Sequence, residues 1–171
     1  TDASKEIFES STGELLLDAK KSFMSIDTKR LQGICGLAGT KTKLSAFEIL
    51  EMTRNGNLAA VSIDEAPALD SSKHLMVVYA TDAVNSGMVF NDSSRRVMQK
   101  MGALPVLYET GVFEVAIRNR NAANLKAFAV DLSGKRQGEI PVTVKNGRLH
   151  LRVDTAKLPG GPAVFFEIAE K

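Results

Sequence analysis

The stretch that most restricts the fold is Ile140-Pro141-Val142-Thr143-Val144-Lys145-Asn146-Gly147-Arg148-Leu149-His150-Leu151-Arg152-Val153. Asn-Gly is the preferred two-residue type I′ turn, because both central positions require φ > 0. With Asn146-Gly147 as that turn, Val144 faces Leu149, Val142 faces Leu151 and Ile140 faces Val153. Thr143 opposite His150 and Lys145 opposite Arg148 then occupy the other side. Every apolar residue falls on one face, and a slip of one residue would expose them all.

Similar patterns recur along the chain. Thr12-Gly13 opens a strand over 14–18, and 19–22 turns the chain into a second over 23–27. Phe113, Val115 and Ile117 alternate with Glu114, Ala116 and Arg118, the period of a half-buried strand. Residues 125–132 form a β-rich run closed by Ser133-Gly134, and 163–169 form the last strand after Pro159-Gly160-Gly161-Pro162. Residues 58–64 are a further candidate. The continuous apolar run 75–81 predicts a strand covered on both faces. Residues 43–54 carry Leu44, Phe47 and Leu50 at helical spacing, yet Phe47 and Ile49 also alternate with Glu48 and Leu50; a strand is preferred, since a lone helix would interrupt a β meander. One short helix is allowed for at 93–101. Turn signals every 8–12 residues or so suit a sandwich or barrel. The expectation is a single all-β domain over 1–171, an antiparallel β-sandwich of jelly-roll-like form with about 10–14 strands.

The composition excludes several classes of function. The 171 residues are 44% hydrophobic and 25% charged, the balance of a globular chain. No window approaches the roughly 20 apolar residues of a membrane helix. No charged-then-apolar leader opens the chain, so a signal peptide is expected to be absent or already removed. With 22 Lys and Arg against 20 Asp and Glu, scattered, no nucleic-acid stripe is expected. The single cysteine, Cys35, excludes an internal disulfide; between small apolar neighbours it reads as a buried structural thiol. His150 lies on the solvent side of the hairpin and His74 begins the apolar strand, so neither points to catalysis. No HExxH, histidine pair or Asp-rich calcium loop occurs, and no metal or cofactor is expected. Strand-end acids Asp18, Asp27, Asp64, Asp82 and Glu109 remain candidates for glycoside hydrolysis, which needs only two suitably spaced carboxylates. With no Trp and only Tyr79 and Tyr108, a flat aromatic sugar platform is not expected; Phe113, Phe165 and Phe166 read as core.

The order of several motifs resembles a known pattern. These are Ser11-Thr12-Gly13-Glu14-Leu15 with Asp18, the run Phe23 to Gly33 containing Ile26-Asp27-Thr28 and Arg30, and Val61-Ser62-Ile63-Asp64 with Pro67 and Ser71. Asn85-Ser86-Gly87-Met88, Gly102 to Glu109, and Val130-Asp131-Leu132-Ser133-Gly134-Lys135-Arg136 with Ile140-Pro141-Val142 follow in turn. Together, from about residue 8 to 169, they resemble the β-sandwich domain that accompanies the (β/α)8 barrel of bacterial glycoside hydrolases of the retaining-barrel superfamily. Two tryptophans of that pattern are missing here, near Leu17 and Met101. The barrel and its two catalytic glutamates lie outside this chain, so no catalytic residue carries over. The resemblance implies a non-catalytic accessory domain, partnered with a catalytic barrel and with an uncovered apolar face. It also implies a polysaccharide setting and secreted or periplasmic location. A free-standing carbohydrate-binding module and a glycosidase using the strand-end acids are the alternatives. Arg30 and Asn85, on loops of a rigid scaffold, are the candidate carbohydrate contacts.

Overall fold

The computed structural model describes residues 1–65 and 67–170; Ala66, within the Val61–Ser72 motif, and Lys171 lie outside them. The first strands are β1 (Ile7–Glu9), β2 (Leu15–Asp18), β3 (Phe23–Asp27), β4 (Leu31–Gly36), β5 (Thr42–Lys43) and β6 (Phe47–Met52). Next come β7 (Gly56–Ser62), β8 (His74–Ala80), β9 (Ala83–Ser86), β10 (Val89–Phe90), β11 (Met98–Lys100) and β12 (Ala103–Tyr108). The remainder are β13 (Val112–Arg118), β14 (Leu125–Val130), β15 (Arg136–Ile140), β16 (Val142–Lys145), β17 (Arg148–Asp154) and β18 (Phe165–Glu170). Among the described residues the eighteen strands exceed the expected 10–14, the excess coming from two- and three-residue pieces. Helical structure among the described residues is limited to 3-10 turns at Ala3–Lys5 and Ala122–Asn124.

Two antiparallel sheets form a sandwich. The larger has nine strands in the order β1-β2-β3-β4-β7-β8-β18-β14-β15, and the smaller has five, β16-β17-β13-β6-β5. Their inner faces share one core. Phe113 of the small sheet sits between Tyr79 and Phe166 of the large one, with edge-on ring pairs at 5.1 and 5.0 Å between centroids. All three rings are buried, and such pairs stabilise by about 1 kcal/mol beyond their area. Gln32 ties the layers together at their edge: its side-chain oxygen accepts from Ala46 N at 2.7 Å and Phe47 N at 2.9 Å.

The hairpin forms in the expected register, with Val142 opposite Leu151, Thr143 opposite His150, Val144 opposite Leu149 and Lys145 opposite Arg148. Asn146 and Gly147 both have positive φ, 51° and 69°. The expected pairing of Ile140 with Val153 does not occur. Pro141 has no N–H to give to a ladder, and the chain changes sheets there: Ile140 pairs with Ala127 in the large sheet.

Residues 47–52 are strand, as preferred, and their mixed periodicity has a cause. Glu51 pairs with Glu114 and Ile49 with Val115, so Leu50 is the extra residue of a β-bulge. That insertion shifts the alternation by one and mimics helical spacing. The short helix allowed for at 93–101 is instead a turn leading into β11, which pairs with β10.

The two outer faces differ. On the small sheet, Arg148 meets Glu48 at 2.9 Å, and Arg152 lies 3.1 Å from Glu51 and 3.9 Å from Glu114. His150 lies in this charged layer, half-buried between Ala116 and Thr143. On the large sheet, the outer positions of β1, β2, β3, β4, β7 and β8 carry no Asp, Glu, Lys or Arg. One cross-strand row runs Phe8, Leu17, Met24 and Cys35; the next runs Leu15, Ile26, Gly33, Ala59 and Val78. Strand β8, expected to be covered on both sides, is covered on one. Leu75, Val77 and Tyr79 are buried, whereas Met76 and Val78 on the outer face are only half-buried.

Candidate functional site

Three of the five strand-end acids shape loops. Asp18 accepts from Lys21 N at 3.1 Å and pairs with its ammonium at 2.9 Å, a contact that holds its carboxyl below the usual range. Asp27 accepts from Ser45 N at 3.0 Å and Ser45 Oγ at 2.8 Å, bridging the two sheets. Asp64 accepts from Lys73 N at 2.7 Å, Ser72 Oγ at 2.9 Å and His74 N at 3.2 Å. These bonds, the Lys73 amide first, lower its pKa. This is the usual role of acids at strand ends.

The candidate sugar contacts are likewise engaged within the fold. The Arg30 guanidinium donates to the main-chain carbonyls of Ser62, at 3.3 Å, and of Asp64. It thereby ties the β3–β4 turn to the end of β7 and reaches no carboxylate there. The Asn85 amide donates to Met101 O at 3.1 Å and joins the two ribbons of a projecting arm.

That arm, residues 82–109, links β8 to β13. It consists of two short ribbons, β9 with β12 and β10 with β11, and every position of β12 is exposed. At its base the remaining two acids come together. Glu109 N donates to Asp82 O at 2.8 Å, and both side chains line a cleft of about 210 Å³ with Arg95 and Tyr108. Arg95 pairs with Asp82, and Arg54 lies 3.4 Å from Glu109. Both carboxylates are half-exposed and each is countered by a guanidinium. Among the described residues, no three His, Cys, Asp or Glu side chains are grouped to hold a metal.

Cys35, expected to be a buried thiol, is exposed. The period-two alternation that buries Ile34 turns Cys35 outward beside Met24. It borders a groove of about 190 Å³ on the outer face, lined by Met24, Ile26, Leu31, Gly33 and Ala59. The groove exists because the residues at its floor are small. A Cβ on Gly33 would lie 2.3 Å from that of Ala59.

Beyond β8 this apolar field meets a charged margin that no motif signalled. Glu167 on β18 contacts His74 Nε2 at 2.7 Å and accepts from Arg136 Nε at 2.6 Å, and Arg136 stacks 4.1 Å above the Phe128 ring. The Arg136 bond is the main cause that lowers the Glu167 pKa. The arrangement is an apolar field with a charged margin along one side.

Comparison with protein-family models, with curated proteins and with solved structures finds no match to this chain. What the fold defines is a class: an antiparallel β-sandwich with one charged outer face, one apolar outer face and a projecting two-ribbon arm.

Proposed function

We propose that this chain is a non-catalytic accessory domain of a glycoside hydrolase, packing through the outer face of its large sheet against the catalytic barrel and supporting it. The observation that carries the reading is the contrast between the outer faces. The small sheet is laced with ion pairs suited to water, while six adjacent strands of the large sheet turn outward without an Asp, Glu, Lys or Arg. At about 4.8 Å between strands, the row through Leu15, Ile26, Gly33, Ala59 and Val78 spans about 19 Å and the row through Phe8, Leu17, Met24 and Cys35 about 14 Å. An apolar field of that size, with a charged network along one side, fits a folded neighbouring domain rather than a flexible peptide. The motif resemblance supplies the neighbour's kind: a (β/α)8 barrel carrying the catalytic glutamates. The same resemblance is the ground for an exported, polysaccharide-degrading setting.

The test is Leu17→Lys with Met24→Glu, an opposite-charge pair across β2 and β3, made in the whole natural polypeptide and in the 171-residue chain. In the isolated chain both positions face water, and the unfolding midpoint should hold. In the whole protein the barrel should lose thermal stability. A barrel that melts unchanged in the double variant, or a natural polypeptide with no second folded domain, would refute the reading.

A further inference from the structure

We infer that the cleft at the base of the 82–109 arm binds a single neutral pyranose unit. Six residues line it, Val84 and Leu107 with the four that carry polar or aromatic groups: Asp82, Arg95, Tyr108 and Glu109. Tyr108, the exposed one of two tyrosines, lines this cleft and also the adjoining cavity that reaches Thr110 and Thr155. It supplies an aromatic wall with a hydroxyl at its edge, the combination that stacks on a sugar ring while hydrogen-bonding its substituents. Asp82 and Glu109 offer acceptors, and Arg95 offers donors beside Asp82. Sugar hydroxyls both donate and accept, so an array holding both kinds of partner suits them.

Charge selects among polar ligands. Asp82 is matched by Arg95 and Glu109 by Arg54, leaving no unpaired cation to attract a phosphate or a uronate. The cleft, about 210 Å³ and open on one side, is on the scale of one sugar ring. Of two larger recesses, the one near Asp70 and Asn146 lacks these features. It has no aromatic side chain, its Arg118 is drawn to Asp70 at 3.7 Å, and its Asn119 amide is bound to Leu69 O and Ser72 O. The inference rests on the hydrolase reading only for choosing sugars among neutral polyols; the site itself stands apart from the outer sheet face.

The experiment is an NMR titration of the isotopically labelled 171-residue chain with the methyl glycosides of glucose, galactose, mannose and xylose, and with glucuronate and glucose 6-phosphate. The expected result is saturable shifts of the Val84, Leu107, Tyr108 and Glu109 amides with at least one neutral glycoside, and weaker effects from the anionic sugars. Tyr108→Ala and Asp82→Asn should each weaken binding about tenfold, with Tyr108→Phe retaining most of it and all three spectra staying dispersed. Absence of saturable shifts at these amides with every neutral glycoside would overturn the inference, as would undiminished affinity in Tyr108→Ala. Either failure leaves the docking test at Leu17 and Met24 unaffected.

Discussion

Gly33 is among the residues at which the large sheet is least tolerant. It sits in the centre of β4 against Ala59 of β7, and a methyl group there would overlap the alanine Cβ at 2.3 Å. Gly33→Ala should therefore cost about 2 kcal/mol, the scale of an overpacked site, and Ala59→Gly in the same chain should recover part of it; urea unfolding of the two variants measures both. Charge at single residues sets the acid limit. Asp64 and Glu167 have lowered pKa values, the first chiefly from the Lys73 amide and the second chiefly from Arg136, against ordinary values of 3.8 and 4.5. A lowered folded-state pKa contributes stability that is complete above the unfolded value and lost as pH falls toward the folded one. The unfolding free energy should thus stay level from neutrality to about pH 5 and fall below that. Glu167→Gln should make the acid limb shallower, as read from urea midpoints at successive pH values.

Among the elements, the arm is the most separable. Its outer ribbon contributes no side chain to the core, and Met101 and Leu104 at its bend are 63% and 82% exposed. Joining Gly87 directly to Gly102 should leave the unfolding free energy of the sandwich within about 1 kcal/mol of its original value; loss of cooperative unfolding would mean that the ribbon is part of the fold. The arm also marks where sequence reading stops. The 142–151 hairpin was legible because turn chemistry and alternation agree over its length. Strand β6 was legible in type but blurred by Leu50, whose bulge breaks the period. Strand β4 was not singled out, since Gly33, Cys35 and Gly36 look like loop or core residues until neighbouring β3 and β7 give them faces. The meeting of Asp82 with Glu109 required the pairing of β9 with β12, a contact across the arm that no local pattern encodes. The Arg136–Glu167–His74 margin likewise joins three strands distant in sequence.

At the scale of the whole molecule, the apolar run in β8 foretold two covers, and this chain supplies one. The inner cover is the small sheet; the outer positions share an apolar field with β2, β3, β4 and β7. A sheet facing water on that side would show the polar alternation seen on the small sheet's outer face. Cys35 lies within the field and reports on it directly. The deciding measurement is its rate of alkylation by a maleimide in the isolated 171-residue chain and in the natural polypeptide. A docked outer face predicts ready labelling in the isolated chain and labelling more than about tenfold slower in the natural polypeptide. Equal rates in the two would contradict it.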